Sequence, residues 1–113
     1  MRSARLVVLV LVSVCLLGIA PAASAQPAAT VHMNSDSFDQ TQVQIAAGQT
    51  VVWMNGNGLV HTVTADDSSF DSGDVAFGGT FSQEFDTPGT YPYYCQYHGD
   101  VGGVGMAGVI VVQ

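Results

Sequence analysis

One stretch of the chain concentrates groups that bind metals: Tyr94-Cys95-Gln96-Tyr97-His98-Gly99-Asp100-Val101-Gly102-Gly103-Val104-Gly105-Met106. It carries a thiol, an imidazole and a thioether, and Gly99, Gly102, Gly103 and Gly105 let the backbone curl around a common centre. A second imidazole, His61, lies far upstream. Two imidazole nitrogens, one thiolate and one weak thioether form the donor set of a mononuclear copper site for electron transfer. Singly, each residue has a plainer role. His61 reads as a strand histidine bonded to a loop, Cys95 as a buried apolar thiol and Met106 as core packing. Together they favour ligation, because Cys95 and His98 are spaced to face one centre.

Other chemistries fit less well. A Cys95–His98 hydrolase would need an orienting group, an oxyanion device and a cleft, and none is evident. Zinc accepts thiolate and imidazole but seldom thioether. A metal-free adhesion or structural sandwich leaves the donor set unexplained. His32 and Met33 alternate in direction on one expected strand, so they do not form a second copper site. Trp53 and Met54 read as core or rim packing. The acidic cluster from Asp66 to Asp74 lacks the ordered alternation and closing Glu of a calcium-binding EF-hand loop, and reads as a solvated face.

The chain has 113 residues, two cysteines and a formal charge of −7. Its two cations, Arg2 and Arg5, precede an apolar run from Leu6 to Ala20, then Pro21 and Ala23-Ser24-Ala25. That order reads as a signal peptide over 1–25, cleaved near Ala25. The run is shorter than the roughly 20 residues of a spanning helix, and Val14 stands where a lipoprotein signal centred on Cys15 would need a small residue. Export to a periplasmic or extracellular space follows. Cleavage leaves a single domain of 88 residues over 26–113, with a charge of −9 and no Lys or Arg. Such a chain repels phosphates and anionic membranes, which argues against nucleic-acid partners and stable membrane insertion. Cys15 leaves with the leader, so Cys95 has no partner for a disulfide within the domain. A lone thiol in an oxidising space is an intermolecular bridge, a nucleophile, an inert side chain or a metal ligand.

The elements that must position these residues are strands. No stretch of the domain holds a 3.6-residue apolar period, whereas short β-branched and aromatic runs recur between Gly, Pro, Asn and Asp. The expected strands are 30–33, 42–47, 50–55, 60–65, 80–85, 90–95 and 107–112, an all-β sandwich or small barrel of seven to eight strands. Turn signals at Gly48, at Asn55-Gly56-Asn57-Gly58 and at Pro88-Gly89 separate them. The stretch 66–79 reads as a surface excursion with a possible helical turn. Alternation turns His61 and Cys95 inward, with Tyr91 and Tyr93 on the Cys95 side. Pro92 cannot donate to a ladder, so its strand should be irregular or edge-facing there.

At these residues the chain resembles the plastocyanin-like and halocyanin-like small cupredoxins. The shared pattern runs from Phe38 through Gly48-Gln49-Thr50-Val51, Trp53-Met54-Asn55 and His61-Thr62-Val63, then Phe81, Phe85, Pro88-Gly89-Thr90-Tyr91, Tyr93-Tyr94-Cys95-x-x-His98 and Gly105-Met106-x-Gly108. The resemblance implies a Greek-key β-sandwich, with His61, Cys95 and His98 as equatorial copper ligands and Met106 as the long axial one. It implies a soluble one-electron carrier cycling Cu(II) and Cu(I), not an enzyme, that meets redox partners transiently as a monomer. The anionic surface would favour a partner with a basic docking face. The His98 edge and Tyr94 are the implied electron ports, and Phe81, Phe85, Tyr91 and Tyr93 the expected apolar shell. A module that stores, senses or delivers copper could use the same four ligands. Two features depart from the pattern: seven residues separate His98 from Met106, a longer gap than in the shortest ligand loops of the family, and Thr62 stands where several relatives carry Asn after the first histidine.

Overall fold

The computed structural model describes Gly18 and residues 26–113. The segment read as a signal peptide, Gly18 apart, lies outside the described residues. The described chain forms seven strands: β1 (Ala29–Met33), β2 (Gln42–Ile45), β3 (Gln49–Asn55), β4 (Thr64–Ala65), β5 (Thr80–Phe85), β6 (Gly89–Asp100) and β7 (Val104–Val112). They make two sheets, in the orders β1-β3-β5 and β2-β7-β6-β4. The chain changes sheet at every step from β1 to β6, and only the β6–β7 hairpin stays in one. β1 runs parallel to β3 and β2 parallel to β7, whereas β3–β5, β4–β6 and β6–β7 are antiparallel. The fold is the expected all-β sandwich.

Period-two patterning explains how the sheets face each other. In β2, Val43 and Ile45 are buried while Gln42 and Gln44 are exposed; in β3, Val51 and Trp53 turn in. Val51 and Trp53 thus face Tyr93, Cys95, Ile110 and Val112 of the opposite sheet, to which Val43 and Ile45 also belong. Trp53 stands edge-on to Tyr93, with ring centroids 5.3 Å apart and planes at 82°, so one aromatic contact spans the sandwich. Burying such rings contributes several kcal/mol, since deleting a core Phe or Trp costs roughly 3–5 kcal/mol. Pro92 is edge-facing as expected: its carbonyl accepts from Asp66 N at 2.9 Å, which points its donor-less nitrogen past the end of β4.

The strand expected over 60–65 is not formed. Only Thr64–Ala65 pairs, with Tyr94 and Tyr93, and His61 makes an isolated bridge to Val75. All five residues from His61 to Ala65 are buried, so alternation fails there. The cause is the stretch 66–79, which doubles back over their outer side: Ser72 N donates to Val63 O, and His61 and Val75 exchange backbone bonds. That stretch contains no helical turn, and Phe70 and Val75 within it join the core. It is a cover for the His61 segment as well as a surface excursion.

The core holds two polar atoms without a hydrogen-bond partner among the described residues, Trp53 Nε1 and Tyr93 Oη. Burial pushes the Tyr93 phenol up to about 12, with a smaller opposing effect from the neighbouring Trp53 indole. The unfolded chain would release this proton near pH 10 and the folded chain only near 12. Ionisation of this group therefore leaves stability unaffected below pH 10 and lowers it progressively as pH rises towards 12. Tyr93→Phe is expected to leave stability at pH 7 unchanged or slightly higher, since an unpaired buried hydroxyl contributes nothing. The variant should also flatten the alkaline fall, as measured by denaturant unfolding between pH 7 and 11.5; an alkaline slope equal to wild type would show that other groups cause it.

Candidate metal centre

The sandwich brings together three of the four residues picked out in the sequence. His61 Nδ1 lies 3.7 Å and His98 Nδ1 3.6 Å from Cys95 Sγ, and the donor atoms of the three all fall within 4.8 Å of one another. The two imidazole rings have centroids 4.9 Å apart. Metal–ligand bonds of roughly 2.0–2.3 Å, opening at about 110–120°, put sulfur and nitrogen about 3.6–3.8 Å apart. The observed separations fit one ion shared by the three side chains. His61 and Cys95 are fully buried, and His98 is the least buried of the set.

Cys95 and His98 do not sit in a loop between strands. β6 continues to Asp100, and its pairing with β7 jumps from Tyr94/Ala107 to Gly99/Gly105. The residues between form a bulge, which re-aims side chains that a regular strand would send to opposite faces. Met106 lies on β7 between those two pairs and is completely buried. It therefore lies opposite the bulge that carries Cys95 and His98. The hairpin closes tightly there, because Gly105 adopts φ 64° and the Gly99 backbone packs against that of Met106.

Hydrogen bonds fix the state of His61. Its Nε2 lies 3.2 Å from Asn57 Oδ1. The orientation of the Asn57 amide is set by two bonds, Nδ2 donating to Met33 O at 2.8 Å and Oδ1 accepting from Leu59 N at 2.9 Å. Asn57 Oδ1 can only accept, so Nε2 carries the proton and Nδ1 faces Cys95 with its lone pair free, as a metal ligand requires. Asn55, itself buried, ties this loop to the excursion by donating to Leu59 O and Val75 O. The His61 pKa is lowered, first by burial and then by the neighbouring His98, against a weaker opposing bond to the Asn34 backbone. The sequence reading missed Asn57; the signal available was a second Asn in the glycine turn four residues before His61.

The thiol is held as well. Thr62 N–H donates to Cys95 Sγ at 3.4 Å, and the Thr62 hydroxyl accepts from Gln96 N at 2.9 Å. The residue in place of Asn thus makes both contacts across the site. Two shell residues are corrected by position. Phe85 pairs with Gln49 at the opposite end of β3 from Asn55, and Tyr91 is four residues, roughly 13 Å of strand rise, before Cys95. Both belong to the far end of the core, while Tyr93 is closer. His32 is exposed and Met33 buried, which separates them as expected. Trp53 is core, and Met54 is 40% exposed. In the acidic stretch, Asp67 and Asp71 accept local bonds from Ser69 N and Gly73 N, while Asp66 and Asp74 accept from the distant Gly102 N and Tyr97 hydroxyl.

A two-sheet sandwich with a thiolate and two imidazoles gathered beside a β-bulge defines a small metal-binding β-sandwich class. The family model described as a cupredoxin-like domain matches residues 6–112, and the chain belongs to that family. It is 37% identical over 99 residues to plastocyanin of Scenedesmus fuscus, covering 74% of this chain and 98% of that protein. Chloroplastic plastocyanin of Tetradesmus obliquus is 33% identical over 115 residues, covering 88% of this chain and 77% of that one. Among solved structures, the Cu(I) form of an amicyanin variant matches with a TM-score of 0.68 and 24% identity, over 81% of this chain and 88% of amicyanin. At that identity the likeness concerns the fold.

Proposed function

We propose that residues 26–113 form an exported one-electron carrier whose His61, Cys95 and His98 hold one copper ion, with Met106 as the axial donor. The observation that carries this reading is the convergence of two imidazole nitrogens on Cys95 Sγ at 3.6 and 3.7 Å. A bound copper ion would supply the Cu(II)/Cu(I) couple, and a soft thiolate with imidazoles suits both states. The protein's part is to keep the donors still. Asn57 holds the His61 ring, Thr62 holds the Cys95 sulfur, and the closed hairpin holds the bulge, so the ligands need little rearrangement when an electron moves. Water is kept from His61 and Cys95 by burial, which leaves the His98 edge as the electron port.

Around that port the surface is apolar and acidic. Leu59, Val60, Tyr97, Val101 and Val104 are exposed, and they flank His61 and His98 in sequence. Asp74 accepts the Tyr97 hydroxyl and Asp66 accepts Gly102 N, so carboxylates border the same end. A transient partner with a basic rim fits this charge. Among the described residues no helix is long and apolar enough to cross a membrane, and export follows from the leader read over 1–25.

The test is addition of Cu(II) to the purified protein, followed by visible and electron paramagnetic resonance spectra and voltammetry. An intense thiolate charge-transfer band and a reversible one-electron wave are expected. A colourless cupric sample would end the copper reading. Colour without reversible electron exchange, joined to copper release to an acceptor, would instead assign a copper-handling module.

A further inference from the structure

We propose that Thr64 and Asp71 are positioning residues for the ligand bulge, acting through a hydroxyl chain with one fixed direction. This inference rests on the metal-site reading above. Three bonds form the chain: Gln96 N to Thr62 Oγ1 at 2.9 Å, Thr62 Oγ1 to Thr64 Oγ1 at 3.0 Å, and Thr64 Oγ1 to Asp71 Oδ1 at 3.1 Å. Each hydroxyl has one proton. The Asp71 carboxylate only accepts, so the Thr64 proton is committed to it. Thr64 can then only accept from Thr62, and the Thr62 proton is committed in turn. The Thr62 oxygen is left with its lone pairs towards Gln96, the residue after Cys95. Thr62 and Thr64 are buried, so water does not compete for the bond between their two hydroxyls.

The chain therefore connects the acidic excursion to the metal-binding thiol. Asp71 is itself anchored, accepting from Gly73 N at 3.0 Å and bridging Thr64 through the backbone. Thr62 also donates its N–H to Cys95 Sγ. One residue thus grips both Cys95 and Gln96, and its side chain is aimed by an exposed carboxylate on another segment. Without Asp71, the Thr64 proton is free to turn towards Thr62, and the Thr62 proton is then pushed towards Gln96 N–H. An N–H on a thiolate draws off its electron density and favours the reduced metal, so a loosened bulge lowers the reduction potential.

Amide hydrogen exchange of the metal-free full chain tests the clamp directly. Thr64→Val, which keeps the shape and removes the hydroxyl, and Asp71→Ala should each speed exchange at Gln96 by at least ~10-fold while Ile110 in the core is unchanged. Thr64→Ser and Asp71→Asn retain the donor or acceptor and should restore protection. In copper-loaded protein, Thr64→Val and Asp71→Ala should move the midpoint potential downward, and the two conservative variants should not. Gln96 exchange within about 2-fold of wild type in both disruptive variants, an even acceleration across the core in both, or an unmoved potential would each overturn the proposal. A colourless cupric wild type defeats the copper reading by itself, while the metal-free exchange still decides the clamp.

Discussion

Cys95→Ser is expected to abolish the intense visible band of the copper-loaded protein while leaving the sandwich folded. The band requires a thiolate bonded to the ion, and a serine hydroxyl stays protonated at neutral pH and is a harder donor. The substitution also removes the sulfur on which the two imidazole nitrogens converge, leaving only His61 and His98 of the three grouped donors. Losing an outer-shell partner costs a metal site roughly 10–100-fold in affinity, so loss of this ligand should cost more than ~100-fold. The fold has reasons to survive. Cys95 is fully buried, but serine is no larger, and the Thr62 N–H that now points at Sγ gives the new hydroxyl a donor. The destabilisation should stay near 1–2 kcal/mol, the cost of burying a partly satisfied hydroxyl. Visible spectra, a copper-binding titration and thermal unfolding check the three parts. An intense band in the serine variant would remove Cys95 from the site.

Much of this centre was legible in the sequence because its chemistry is local there. Cys95, His98 and Met106 lie within one short stretch, and glycine and asparagine turns mark where strands end, so six of the expected strands lie close to observed ones. What was hidden depends on contacts between distant segments. Alternation assumes that one side of a strand meets solvent, and the return of residues 66–79 over His61–Ala65 removes that side. Phe70 and Val75 looked like part of a polar loop for the same reason. Asn57 and Asp71 are ordinary turn residues until folding places one beside His61 Nε2 and the other beside the Thr64 hydroxyl. The bulge at 95–98 was also invisible. No composition signals it, and it arises where the Gly99/Gly105 pair resets the register with β7.

That pair sets the second large effect. Gly99→Ala is expected to destabilise the protein by about 3 kcal/mol, at the upper end of the cost of overpacking. A Cβ on Gly99 would lie 2.5 Å from Met106 O, 2.7 Å from Val104 O and 2.9 Å from Met106 N. All three are backbone atoms, so no side chain can swing away, and relief requires β7 to move off β6. The displaced residue is Met106, whose side chain is locked in the core, so the strain also reaches the residue proposed above as the axial donor. Gly102→Ala is the control. It too lies in the hairpin, but its Cβ would meet nothing within 4 Å, and its φ of +80° costs only about 1–2 kcal/mol for an L-residue. Urea unfolding should rank Gly99→Ala as clearly worse than Gly102→Ala. The copper-loaded spectrum should change for Gly99→Ala alone, because only that variant moves the strand carrying Met106. Equal stabilities and equal spectra would mean that the close approach of the two strands does not hold the ligand bulge in place.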